Sequence, residues 1–127
     1  MRLFKTKWFV RYARRERLND QNLRDAIGRA ERGLVDADLG GGIIKQRVAR
    51  TGAGRSGGFR LLIAYRSGNR AVFLYGFAKS EQDNIGADDM ETLREIGAAW
   101  LAAKKERLEH AIKEGLLKEF DNEDKKK

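Results

Sequence analysis

Between residues 43 and 77 the chain reads as three consecutive strands, and that stretch limits what the rest can be. Residues 43–50 alternate, with Ile44, Gln46 and Val48 on one side and Lys45, Arg47 and Ala49 on the other. A period of two belongs to a strand and puts Lys45 and Arg47 on one face. Two aromatic and β-branched runs follow at 59–66 and 70–77, joined by Ser67-Gly68-Asn69, the composition of a hairpin turn. Three consecutive strands pair most simply as an antiparallel meander, and a meander needs helices against it to bury its apolar side chains.

Helices are predicted on both flanks. Leu23, Ala26, Ile27, Ala30 and Leu34 recur at helical spacing behind Asn19, an N-cap, with Leu18 and Leu23 as a hydrophobic staple and Gly33 helping to end the helix. Upstream, Trp8, Phe9, Tyr12 and Ala13 suggest a short helix ringed by Arg11, Arg14, Arg15 and Arg17; a strand beginning near Phe4 is the alternative. Gly40-Gly41-Gly42 separates this part from the strands. Gly86 caps a last helix, with Ile85 and Met90 as its staple and Asp88 and Asp89 in its first turn, where the helix dipole favours carboxylates. Its stripe runs through Met90, Leu93, Gly97, Trp100 and Leu101, and Leu108, Ile112 and Leu116 extend it.

The expected fold class is α+β: N-terminal helices packed on a small antiparallel sheet of at least three consecutive strands, followed by a C-terminal helix. The length of 127 residues and the apolar share of 41% suit one core. A single domain is expected over residues 1–118, with a charged, disordered tail over 119–127. The sheet face opposite the helices is expected to carry the basic side chains.

Cysteine is absent, which removes disulfides, thiolate metal sites and thiol nucleophiles and fits a reducing, cytoplasmic compartment. The basic N-terminus is not followed by an apolar signal-peptide region, and no apolar run approaches the ~20 residues of a membrane span. Neither export nor membrane insertion is expected. The one histidine, His110, sits beside Glu109 and Glu114 on a helical surface, away from any serine and aspartate that could complete a nucleophilic triad. The carboxylates read as solvated helix faces, so neither a metal site nor a cofactor is expected.

Charge is segregated. Residues 1–80 hold 18 basic and 6 acidic side chains, and residues 81–127 hold 9 and 13. No Asp or Glu occurs from Leu39 to Ser80, where Lys45, Arg47, Arg50, Arg55, Arg60, Arg66, Arg70 and Lys79 all fall. Such a one-signed stretch is either a footprint for a polyanion or a face kept soluble by like charge. On the first reading Arg50, Arg55, Arg66 and Arg70 contact RNA.

Gly52-Ala53-Gly54-Arg55-Ser56-Gly57 matches G-x-G-x-x-G, but that fingerprint requires a helix next, and here the chain turns into a strand. A nucleotide site is therefore rejected; the loop either meets phosphate through its amides and Arg55 or merely links strands. What remains is a cationic set: Lys45 and Arg47 on one strand, Arg60 on the next, Lys79 just after the third. Such a set can cut RNA by orienting a ribose 2′-OH, neutralising the phosphorane charge and moving protons, since an ammonium crowded by guanidinium groups gives up its proton more readily. The alternative is that it only binds backbone phosphate.

Ile44-Lys45-Gln46-Arg47, the Gly-rich loop, Gly58-Phe59-Arg60-Leu61-Leu62 and Phe77-Ala78-Lys79-Ser80-Glu81-Gln82-Asp83-Asn84-Ile85, in this order, resemble the HigB-like branch of the RelE toxins, within the RelE/ParE superfamily. The resemblance covers roughly residues 7–101. It implies the toxin of a type II toxin-antitoxin system, a mRNA interferase that acts in the ribosomal A site. Its partners would be the ribosome, mRNA and a cognate antitoxin with an acidic contact segment and a helix-turn-helix DNA-binding part. Carried over, Arg60 is the central-strand arginine that stabilises the transition-state phosphate, Lys45 and Arg47 are the basic pair before it, and Lys79 is the basic position after the last strand. Well-studied members add a further arginine and a C-terminal tyrosine as base or orienting group; residues 80–87 hold neither, so the resemblance assigns no base. Two rivals share these features: a ParE-like gyrase poison without nuclease activity, and a non-toxic nucleic-acid-binding module.

Overall fold

The computed structural model describes residues 1–49, 58–82 and 84–122. Its strands are β1 (Arg2–Thr6), β2 (Ala37–Gly40), β3 (Ile43–Val48), β4 (Phe59–Arg66), β5 (Arg70–Ala78) and β6 (Leu117–Asn122), and its helices α1 (Lys7–Glu16), α2 (Asp20–Glu31), α3 (Ala87–Ala102) and α4 (Lys105–Glu114). The strands form one six-stranded sheet in the order β2-β3-β4-β5-β1-β6. Neighbours pair antiparallel except β1, which lies parallel to β5. The α+β class and the meander of β3, β4 and β5 are as the alternation predicts.

The two readings of the N-terminus are realised one after the other. β1 ends at Thr6, whose Oγ1 accepts the N–H of Phe9 at 3.2 Å and so starts α1. The reciprocal bonds of Asn19 and Asn22, at 2.8 and 3.0 Å, close a capping box and set the first turn of α2. Gly40, Gly41 and Gly42 all have positive φ and turn β2 into β3. At Gly42 space decides as well, since a Cβ would lie 2.7 Å from the side chain of Leu101.

Both faces of the sheet are covered, contrary to the open basic face expected. On one, Phe9, Tyr12 and Ala13 of α1 and Leu23, Ala26, Ile27 and Ala30 of α2 pack with Ile44, Val48, Leu61, Ile63 and Phe73. On the other, Met90 and Leu101 of α3 and Leu108 and Ala111 of α4 pack with Phe4, Ile43, Leu62, Ala64, Val72 and Leu74. The continuous last helix is also corrected. Ala103 adopts an extended conformation with ψ 135°, which ends α3 and lets α4 turn Leu108 and Ala111 into the second core beside Leu117. Gly115, at φ 78°, then releases the chain into β6. Residues 119–122, placed in a tail by their charge, thus complete the sheet beside β1, where Arg2 bonds Glu119 at 2.7 Å and Glu109 at 2.8 Å. These bonds hold the Arg2 guanidinium pKa above its ordinary value.

Candidate functional site

Gln46 fixes which way β3 faces. Fully buried, it accepts the Asp36 N–H at 2.8 Å through Oε1 and donates to the carbonyls of Ala26 and Leu34 at 2.9 and 3.2 Å. Both amide N–H groups and the carbonyl oxygen are bonded, which favours this orientation for a buried side chain. Ile44 and Val48 share its face against α2, and the period of two then turns Lys45 and Arg47 toward the face that carries α3.

Register does the rest. Arg47 of β3 stands opposite Arg60 of β4, which stands opposite Phe77 of β5, and one step along Lys45 faces Leu62 and Leu62 faces Tyr75. The contacts that seat α3, from the close approach of Gly97 to Ile43, Leu74 and Ala64, lie toward the other end of the strands. Lys79 joins the Arg47 and Arg60 end, because its N–H donates to the Gly58 carbonyl just before β4, at 3.0 Å. Arg47, Arg60 and Lys79 of the expected cationic set are therefore brought to one end of the sheet, and Lys45 lies one step further in on the face of Arg47. A file of rings flanks them: Tyr75 lies 6.3 Å from Phe77 and stacks on Trp8 at 4.7 Å.

Arg60 is only 7% exposed, whereas Arg47 is exposed and Lys45 half-buried. Burial pulls the Arg60 guanidinium pKa down, the charge of Arg47 pulls it further, and Asp36 offsets part of this. Desolvation and a like charge both disfavour the charged guanidinium, and a bound anion would offset them.

Arg66 and Arg70, expected among the RNA contacts, are at the opposite end of β4 and β5. Paired in register, they face the C-terminus of α3: Arg66 donates to Leu101 O at 2.9 Å, and Arg70 to Trp100 O at 2.9 Å and Ala103 O at 2.7 Å. α3 has no basic residue in its last turn, and its C-cap is extended, so these two arginines satisfy carbonyls the helix leaves open. Burial, then the charges of Arg66 and Arg2, lower the Arg70 pKa. Arg50 and Arg55, the glycine-rich segment and Asp83 lie outside the described residues.

Two residues at the site escaped the sequence reading. Arg29 at the end of α2 and Asp36 just before β2 meet at 3.3 Å and both reach the backbone of Arg47. Asp36 precedes the acid-free window by three residues, and only the fold brings it back beside Arg47. His110 is on the surface, 3.3 Å from Glu114. Among the described residues no three His, Cys, Asp or Glu side chains are grouped to hold a metal ion, and no helix is long and apolar enough to cross a membrane.

Fold and site together define a small α+β protein that concentrates arginine and lysine at one end of a meander, against an aromatic file. The family described as RelE toxin of the RelE/RelB toxin-antitoxin system matches residues 1–120, and the chain belongs to that family. It is a toxin of a toxin-antitoxin system, with an antitoxin as its partner. The match extends the resemblance at both ends, over β1, α4 and most of β6. A search of the curated proteins gave no match.

Proposed function

We propose that this toxin is a metal-independent endoribonuclease that cleaves mRNA on the ribosome in the cytoplasm, as a HigB-like member of its family. The observation that carries the reading is the Arg47 and Arg60 pair, one exposed and one buried, set side by side with Lys79 at the same end of the sheet and Lys45 one step further in on the same face as Arg47. In the reaction a ribose 2′-oxygen forms a bond to the adjacent phosphorus while the bond to the 5′-oxygen breaks, giving a 2′,3′-cyclic phosphate and a 5′-hydroxyl. Arg60, limited in movement by strand pairing on both sides, neutralises charge on the phosphorane, and Arg47 grips the same phosphate from the solvent side. Lys45, half-buried beside them, takes the 2′-proton, and exposed Lys79 protonates the leaving oxygen or binds the next phosphate. Trp8 and Tyr75 offer rings against which bases can stack. Arg50 and Arg55 are kept as backbone contacts; Arg66 and Arg70 are not, because α3 engages them.

The antitoxin is proposed to lay an acidic segment over the Arg47 and Arg60 end, relieving like-charge crowding and blocking the site in one contact. Co-purification with it should weaken at high salt. Induced expression tests the reading directly. Ribosome-dependent cuts in mRNA are expected; DNA damage without such cuts would point to gyrase, and unimpaired growth to a non-toxic module.

A further inference from the structure

The backbone of Arg47 is held on its outer side by side chains and not by a strand. β2 is short: Ala37 pairs with Lys45, and no residue of β2 pairs with Arg47 or Val48. In place of a strand, Asp36 Oδ2 accepts the Arg47 N–H at 2.7 Å, and Arg29 Nη2 donates to the Arg47 carbonyl. Arg29 Nη1 also reaches Asp36 Oδ2 at 3.3 Å, and its side chain is 14% exposed, so the two clamp groups are fixed to each other. The connection that presents Asp36 is itself fixed, through the Asp36 N–H and Leu34 carbonyl bonded to buried Gln46.

We propose that Arg29 and Asp36 are positioning residues that set the placement of Arg47 against the scissile phosphate, an inference that rests on the nuclease reading above. The charges explain why a pair is used. A lone carboxylate could hold the Arg47 amide, but beside Arg60 it would repel the phosphate that the site must attract. Arg29 cancels that charge and at the same time holds the second backbone group, so Arg47 is anchored at both N–H and C=O with no net loss of positive potential. The guanidinium of Arg47 then projects from a fixed backbone, which reduces the freedom it must lose when phosphate binds.

The test uses the full chain on programmed ribosomes under single-turnover conditions, with thermal midpoints to confirm folding. Asp36→Ala should lower the maximal cleavage rate ~10-fold, while the toxin concentration at half-maximal rate changes less than ~2-fold. Asp36→Asn, which keeps an acceptor for the Arg47 N–H, should recover most of the rate. In an Arg47→Ala background, Asp36→Ala should change the rate less than ~2-fold, because its effect passes through Arg47. An ion pair that only ties α2 to β3 would instead give the same penalty in both backgrounds, and that result overturns the proposal. Amide hydrogen exchange supplies a readout independent of activity: protection of the Arg47 N–H should be lost in Asp36→Ala and kept in Asp36→Asn. Unchanged protection in Asp36→Ala also overturns it. A folded wild type that leaves mRNA intact on the ribosome would defeat the nuclease reading and with it the catalytic role of the clamp, whereas exchange would still decide whether the clamp holds Arg47.

Discussion

Arg47 and Arg60 face each other at a non-hydrogen-bonded position of the β3/β4 ladder. The Tyr65 N–H donates to Gly42 O at 2.8 Å, and strict alternation from that point to the 47/60 pair points the backbone groups of Arg47 away from β4 and those of Arg60 toward Phe77. At such positions the Cα atoms approach to about 4.5 Å, so two like charges are brought close by backbone geometry alone. Crowding of this kind works against stability and is relieved by a bound anion, the relation expected of a site kept for function.

Arg60→Ala should therefore reduce ribosome-dependent cleavage by ~10²-fold or more while changing ribosome binding far less. Arg60→Met, which keeps the buried stem and removes the charge, should lose the same activity with a thermal midpoint no lower than that of the wild type. Single-turnover cleavage and a melting curve on the same preparations check both statements. An active Arg60→Ala would remove the main reason for assigning RNA cleavage to this end of the sheet.

Lys45 tests proton transfer against simple charge. Lys45→Arg keeps the positive charge but offers no group that deprotonates in the working range, so its rate should fall almost as far as that of Lys45→Ala. If arginine restores most of the rate, the base is another group, with Lys79 the first to examine.

The cationic end of the sheet was legible in the sequence because it depends on period and register. Alternation around Gln46 placed Lys45 and Arg47 on one face, and the short hairpin link placed Arg60 between its neighbours. Charge alone could not distinguish Arg60 from Arg66 and Arg70. All three lie in the same acid-free window, and only the packing of α3 shows that the last two face its C-terminal carbonyls. Strand β6 was hidden for a related reason: half of its six residues are charged, and it is stabilised by long-range pairing with β1 and by Arg2 with Glu119 and not by local pattern. Asp36 and Arg29 lie seven residues apart, with a helix end and a turn between them, a relation no local spacing rule reports.

The assignment of Arg70 to α3 has a direct consequence. Arg70→Ala leaves the Trp100 and Ala103 carbonyls without their charged donor and should destabilise the protein by ~1–3 kcal/mol. Its cleavage rate per folded molecule, and the salt dependence of its binding to ribosomes, should match the wild type. A reduced salt slope with unchanged stability would instead restore Arg70 to the RNA contacts.

Acid should loosen the β4/β5 turn before the rest of the sheet. Glu31, at the end of α2, accepts the Ser67 hydroxyl at 2.8 Å and the Gly68 N–H at 3.0 Å. Burial pushes its carboxyl up, but these bonds to the ionised form outweigh it and hold the pKa below the ordinary value. A carboxylate with a depressed folded pKa contributes stability that is fully present above its unfolded pKa and is lost as the pH falls through the folded one. The group is exposed, so the global effect should be under ~1 kcal/mol and is best read locally. Hydrogen exchange at the Gly68 amide, corrected for its intrinsic pH dependence, should show protection at pH 7 that declines below the ordinary carboxylate range. In Glu31→Gln that protection should be weaker at pH 7 and nearly independent of pH over the same interval, and an acid response equal to that of the wild type would show that another group controls the turn.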